Sequence, residues 1–191
     1  MTRLLIFTLS LVALLLPGLV HAQNGFTINA DEGRFYFGIA AGRAKVDDQD
    51  LFGSENVDGS VTSLGLLLDN IIAFEGGYLY FAPKREPEDD PGTPARQTGT
   101  IVRGRYLTFI LRLPMDNFSI YTRLTHLEYK ISVDGIEQSE KPHSAAGAGL
   151  GIDWFITNKW NLRYEVERYY DIGVTESDIV HSRIGISYYF N

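Results

Sequence analysis

The 191-residue chain has no cysteine, and only two methionines and two tryptophans. Without cysteine there is no disulfide framework, no thiolate metal site and no thiol nucleophile. Basic residues are in the minority, 17 against 24 acidic, for a formal charge of −7. That balance argues against a nucleic-acid partner, whose phosphates require a basic footprint. Beyond residue 20 there is no long apolar run. A helical membrane span needs about 20 consecutive apolar residues, so a polytopic helical protein is excluded. Hydrophobic residues nevertheless make up 45% of the chain and charged residues 21%, which speaks against wholesale disorder. The sequence contains no phosphate-binding loop, paired-carboxylate pocket or metal-spaced ligand set, so no cofactor and no metal are expected.

The one apolar run is at the start. Met1-Thr2-Arg3 gives a short basic opening, Leu4 to Val20 is almost uninterruptedly apolar, and Val20-His21-Ala22 supplies a small-residue exit. This is the layout of a secretory signal peptide, expected over residues 1–22, with the mature domain over 23–191. A chain that is exported yet lacks cysteine points to the bacterial envelope rather than to a disulfide-stapled secreted domain.

The mature chain is patterned with period two. Val180, Ile184, Ile186, Tyr188 and Phe190 alternate with His181, Arg183, Gly185, Ser187 and Tyr189, and Trp160, Leu162, Tyr164 and Val166 alternate with Asn161, Arg163, Glu165 and Glu167. Such segments are strands with one apolar and one polar face. The same alternation marks eight strands, near 34–46, 60–69, 71–83, 99–114, 118–132, 143–156, 160–173 and 178–191. Short turns at Asp69-Asn70, Met115-Asp116-Asn117 and Thr157-Asn158-Lys159 alternate with longer polar stretches near 47–59, 84–98, 133–142 and 174–177. Tight turns on one side, longer loops on the other and an even strand count are the marks of a transmembrane β-barrel. The expected fold is all-β, an eight-stranded antiparallel up-and-down transmembrane β-barrel.

Which face is apolar decides where the barrel sits. Eight strands enclose little more than their own side chains. The polar face carries Glu75, Arg112, Arg123, Asp153, Arg163, Glu165, Glu167 and Arg183, all but Glu167 expected in a lumen charge network. Turned inward these residues can pair as a lumen charge network; turned outward they would leave the interior overpacked with Leu, Ile, Phe and Tyr. Lipid outside and charge inside is the better solution. Trp154, Trp160, Tyr188 and Phe190, close to the short turns, suit an interfacial aromatic girdle. Arg43, Arg103, Arg105, Lys130 and Arg168 fall on the lipid-facing side but near the long loops, where a basic residue costs only about 0–1 kcal/mol. There they can meet lipopolysaccharide phosphates, or simply snorkel to water and bind nothing in particular. The hairpin turning at Asp116 is expected to bring Arg105 opposite or near His126 and Arg103 near Glu128.

Taken in order, several motifs make the chain similar to the OmpA-type family of eight-stranded outer-membrane barrels. They are Gly38-x-x-x-Gly42, Phe74-Glu75-x-Gly77-Tyr78, Ile120-Tyr121-Thr122-Arg123-Leu124, Gly149-x-Gly151-Ile152-Asp153-Trp154, Leu162-Arg163-Tyr164-Glu165 and Gly185-Ile186-Ser187-Tyr188-Tyr189-Phe190. The resemblance implies a lumen filled by glutamates, arginines and a lysine, with Glu75, Arg123, Asp153, Arg163 and Glu165 at such places. Where the family carries its fourth-strand lysine this chain has Ile110, with Arg112 one inward position away, so the family's gating behaviour is not carried over. The family's peptidoglycan-binding domain has no counterpart here, and no cell-wall anchoring role is expected. The resemblance also implies recognition of the C-terminal strand by the barrel-assembly machinery, here through Tyr188 and Phe190, with Asn191 after them.

Some eight-stranded outer-membrane barrels modify lipid A with a histidine, a serine and an acid. In this chain His143-Ser144 and His181-Ser182 are sequence neighbours and point to opposite faces of a strand. His126 has no serine beside it on its own face. The histidines are therefore expected to be solvated or to face headgroups, and the protein is expected to be a non-enzyme. The leading reading is an integral protein of a Gram-negative outer membrane, structural or surface-interacting through its external loops and lipopolysaccharide contacts. It would be monomeric, with membrane lipids as partners. A small ion-conducting, porin-like pore is the second reading and a lipid A-modifying enzyme the third.

Overall fold

The computed structural model describes residues 33–46, 56–83, 100–133, 136–138, 141–172 and 177–190. The expected signal peptide and the acidic, proline-rich stretch at 84–98 lie outside these residues. The elements are β1 (Arg34–Val46), β2 (Asn56–Leu67), β3 (Ile72–Pro83), β4 (Thr100–Met115), β5 (Phe118–Val133), β6 (Ile136–Glu137), β7 (His143–Phe155), β8 (Trp160–Ile172) and β9 (Ser177–Tyr189). Successive long strands pair antiparallel, and β1 pairs with β9 from Tyr36↔Tyr189 to Val46↔Ile179. The sheet is thus a closed barrel of eight long strands. The two-residue β6 is an extra strand laid on the end of β5 through Ser132↔Glu137 and Val133↔Ile136.

Side chains shape the tight turns. Asp69 Oδ1 accepts from the backbone N–H groups of Ile71 and Ile72 at 2.7 and 2.6 Å. Thr157 Oγ1 does the same for Lys159 and Trp160 at 3.2 and 3.1 Å. Short polar side chains of this kind take over the hydrogen bonds a turn leaves open. At the β4–β5 hairpin Met115 pairs with Phe118, so the turn is two residues long rather than the expected three. Asp116 makes this possible with φ 30°, a left-handed conformation its short side chain tolerates.

Parity places the side chains as the alternation predicts. Phe35, Phe37, Leu64, Phe74, Leu107, Phe109, Leu124, Leu150, Ile152, Tyr164 and Ile184 are exposed on the outside. Trp154 stacks on Phe118 at 6.0 Å, and Trp160 meets Tyr188 edge-on at 4.8 Å, forming the girdle at the short-turn end. Inside, glycine makes room for tyrosine. Tyr36 lies opposite Gly65, Tyr106 opposite Gly77, Tyr121 opposite Gly151 and Tyr169 opposite Gly147. A Cβ at Gly65 would stand 2.0 Å from the Tyr36 ring, and one at Gly151 2.2 Å from the Tyr121 ring. Each tyrosine can lie flat across its neighbour only because that neighbour has no side chain.

β2 begins at Asn56, four residues earlier than expected, because Val57 and Gly59 continue the inward row while Asp58 and Ser60 stay outside. Polar residues on the outside give this stretch the look of a loop.

Candidate functional site

The barrel interior is layered. At the short-turn end Tyr36, Leu67, Ala73, Ile110, Tyr121, Phe155 and Tyr189 form a small buried cluster. Ile110 is one of its members. At the long-loop end a larger cluster includes Ala44, Val57, Leu79, Phe81, Val102, Leu127, Ile131, Ile172 and Ile179. Charge fills the space between.

Four carboxylates and four guanidiniums, all buried, run as one alternating chain. Arg112 Nη2 contacts Asp153 Oδ2 at 2.7 Å, and Arg163 Nε holds the other Asp153 oxygen at 2.9 Å. Arg163 Nη1 reaches Glu75 Oε2 at 2.6 Å, and Arg123 Nη2 lies 3.3 Å from Glu75 Oε1. Arg123 Nη1 donates to Glu165 Oε1 at 2.5 Å. Arg183 then bridges Glu165 and Glu167, the latter at 3.0 Å. Arg123 Nε stands 3.2 Å from Glu167 Oε1, at ion-pair distance but without its N–H aligned for a hydrogen bond.

Tyrosine hydroxyls fill the remaining lone pairs. Tyr36 and Tyr106 donate to the two Glu75 oxygens at 2.8 and 2.9 Å, Tyr121 to Glu165 at 2.6 Å and Tyr169 to Glu167 at 2.8 Å. These are the four tyrosines that lie over glycines. Every carboxylate in the chain therefore has guanidinium contacts on both sides, and the formal charges cancel. Such burial is tolerable only with close geometry and satisfied lone pairs.

The structure places all seven residues expected on the lumen face in this chain. Glu167 is the eighth member, outside the expected network although it shares the parity of Glu165. The tyrosines, too, carry a legible parity but no charge to single them out. Space is scarce: a cavity of about 10 Å³, lined among others by Ser63, Glu75, Arg163, Arg183 and Ser187, has room for about one water.

The expectation for the histidines needs correction at His181. It is fully buried, with its ring edge-on to Phe81 at 4.9 Å and Nδ1 3.3 Å from Arg183 Nη1. Its odd number puts it on the inward face. His126 is exposed, beside Leu107 and Ala146 on the neighbouring strands, and His143 stacks on Tyr129 at 5.6 Å.

On the outside Arg43, Arg103, Arg105, Lys130 and Arg168 stand toward the long-loop ends of their strands. The two-residue turn moves the register by one from that of a three-residue turn, and His126 is a diagonal neighbour of Arg105 rather than its direct partner. Arg105 faces Glu128 and donates to it at 2.7 Å, whereas His126 faces Leu107. Arg103 faces Lys130, and both bind Glu137 of β6, Lys130 at 2.9 Å. Hydrogen bonds from Lys130 and Arg103 hold the exposed Glu137 carboxyl below its usual range. Arg168 binds Asp178, with Nε at 2.9 Å. Arg43 faces Asp58 on β2 and Ser182 on β9.

A model of the outer membrane protein beta-barrel domain family matches residues 9–190. Among solved structures the chain is similar to neisserial surface protein A (NspA), at 16% identity and a TM-score of 0.65, covering 84% of this chain and 100% of that one. It is also similar to Ail, the attachment invasion locus protein of Yersinia pestis, at 17% identity and a TM-score of 0.52, covering 83% of this chain and 97% of that one. No curated protein sequence matches it. At these identities the solved structures speak to the fold.

Arg163→Ala strips a partner from Asp153 and from Glu75 at once. It should destabilise the barrel by about 3–5 kcal/mol, the cost of leaving buried charge uncompensated. Urea unfolding in lipid vesicles measures this. A change under about 0.5 kcal/mol, the size of an ordinary surface substitution, contradicts a desolvated, paired lumen.

Proposed function

The chain belongs to the outer membrane protein β-barrel domain family, and on that footing we propose that it is a structural and surface-interaction protein of the Gram-negative outer membrane. It acts through its external loops and through lipopolysaccharide at its cationic rim, and it does not conduct. The observation that carries this reading is the filled interior: an eight-member ion-pair chain closed at both ends by apolar clusters. Eight strands leave no open aqueous channel once their own side chains occupy the lumen.

The porin-like pore would require both the ion-pair chain and the two apolar clusters to rearrange. Planar-bilayer recording of the purified protein separates the two readings. The expected trace is free of stable unitary steps; reproducible steps that scale with salt would favour the pore.

A non-enzymatic role is supported by the histidines. Among the described residues His126 has neither serine nor acid opposite it, and His181 binds Arg183 rather than a hydroxyl. A monomer is supported by closure, because the eight long strands are each paired on both sides and the two-residue β6 alone among the described strands has a free edge. Tyr188 and Phe190, packed edge-on at 5.3 Å at the end of β9, are the residues the barrel-assembly machinery would read.

The rim cations already hold Glu128, Glu137 and Asp178, so a lipid phosphate has to compete with a carboxylate. Exposed pairs of this kind are worth only about 0–1 kcal/mol, and a phosphate can take an arginine bidentately. Replacing Arg103 and Arg105 with glutamine should lower the lipopolysaccharide that co-purifies and the thermal stabilisation it confers. Equal retention and equal stabilisation in both proteins would leave the arginines merely reaching for water.

A further inference from the structure

On six of the eight long strands the two faces of the wall exchange character at about one level, while β3 keeps Tyr78 and Tyr80 on its outward row and β7 passes from Leu150 to Ala148, Ala146 and Ser144. On β5 the outward row runs Phe118, Ile120, Thr122, Leu124 and then His126, Glu128, Lys130, while the inward row runs Ser119, Tyr121, Arg123, Thr125 and then Leu127, Tyr129, Ile131. β4 does the same: Leu113 to Leu107 outside give way to Arg105 and Arg103, and inside Arg112 and Thr108 give way to Tyr106 and Val102. On β8 the outward change comes at Arg168 and the inward change at Tyr169; on β9 they come at Ser182 and Ile179. On β2 Leu64 outside yields to Thr62, Ser60 and Asp58, opposite Val61 and Val57 inside. β1 turns from Ala41 to Arg43 and Lys45 outside, with Ala44 inside. The upper apolar cluster starts where the outer apolar band stops.

Backbone geometry changes at the same level. A bulge between Tyr169 and Ile172, with Asp171 at φ 57°, shifts the parity of β8. Ile172 would otherwise face outward; it is fully buried in the upper cluster instead.

A sheet in water must hide one apolar face from solvent, whereas a sheet in lipid can keep its apolar face outside and polar groups within. The level of exchange therefore marks the membrane surface. We infer that the hydrocarbon boundary runs through Arg43, Arg105, His126, Arg168 and Ser182, and that above it the same strands form a water-facing barrel with its own apolar core. The dimensions agree. From the aromatic girdle to this ring β1, β4, β5, β8 and β9 take roughly eight to ten residues; at about 3.3 Å per residue and about 40° tilt that is about 20–25 Å, close to the usual apolar band of about 25 Å. The upper core closes the lumen, and the polar wall around it lifts the loops clear of the acyl chains, whatever those loops bind.

Ile101 and Val180 discriminate, because both are apolar, half-buried residues of the outward row: Ile101 stands four residues beyond Arg105 on β4, and Val180 two residues beyond Ser182 on β9, opposite Arg168. A barrel embedded over its full length would bury them in lipid. The chain has no cysteine, so single substitutions report cleanly. Ser60→Cys, Ile101→Cys, Val180→Cys, Leu124→Cys and Ile184→Cys are each placed in phosphatidylcholine nanodiscs, where both membrane faces meet water, and treated with a membrane-impermeant maleimide. Only variants that migrate faster unheated than boiled are scored as folded, and the two positions on each side of the ring substitute for one another. Ile101→Cys and Val180→Cys should react about as fast as Ser60→Cys, and Leu124→Cys and Ile184→Cys at least about tenfold slower, since apolar surroundings suppress the thiolate. Ile101→Cys and Val180→Cys as slow as Leu124→Cys would overturn the inference, and so would Leu124→Cys as fast as Ser60→Cys.

Discussion

Arg163 reaches Glu75 at 2.6 Å from the opposite wall of the barrel, β8 to β3, and at the same time holds Asp153 on β7. Bare, either carboxylate would be prohibitive inside an eight-stranded lumen, because an isolated buried charge costs several kcal/mol. The alternating chain from Arg112 to Glu167 removes that cost by setting guanidiniums against every carboxylate. Its links tie β3, β4, β5, β7, β8 and β9 together across the interior rather than along it. Pairing of this sort adds little net stability over an apolar filling of the same volume, and what it supplies is specificity. A strand that slipped by one residue would send its charges into lipid.

Glycine makes the chain possible. Without Gly65, Gly77, Gly147 and Gly151 the four tyrosines could not lie across the wall, and their hydroxyls would not reach Glu75, Glu165 and Glu167. Packing and electrostatics are therefore one device, with the aromatic ring covering the bare backbone and its hydroxyl completing the carboxylate's shell. The filled interior that results is what supports the proposal of a role at the rim and the loops.

Much of this is legible in the sequence, because period-two alternation carries strand identity and side-chain direction together. The eight strands, their inside and outside faces and all eight charged lumen residues come from parity alone, although the expected network omits Glu167. Three features are not legible, each for a physical reason. The upper part of β2 carries Asp58 and Ser60 outside and valines inside, so it lacks the apolar outer face that marks a lipid-facing strand. The β4–β5 register depends on whether Met115 belongs to strand or turn, which φ at Asp116 decides. His181 shares its parity with Arg183, but as a lone histidine it gives no sign that its ring is enclosed beneath Phe81.

Coupling across the lumen is what holds the two walls in register, and a double-mutant cycle on Glu75→Gln and Arg163→Gln measures it directly by urea unfolding in lipid vesicles. Residues joined in one network show interaction energies of about 0.5–3 kcal/mol. The pair should fall in the upper half of that range, above about 1.5 kcal/mol, with the double variant markedly less destabilised than its two parents combined. Additivity to within about 0.5 kcal/mol would mean that the two walls are not held through this contact.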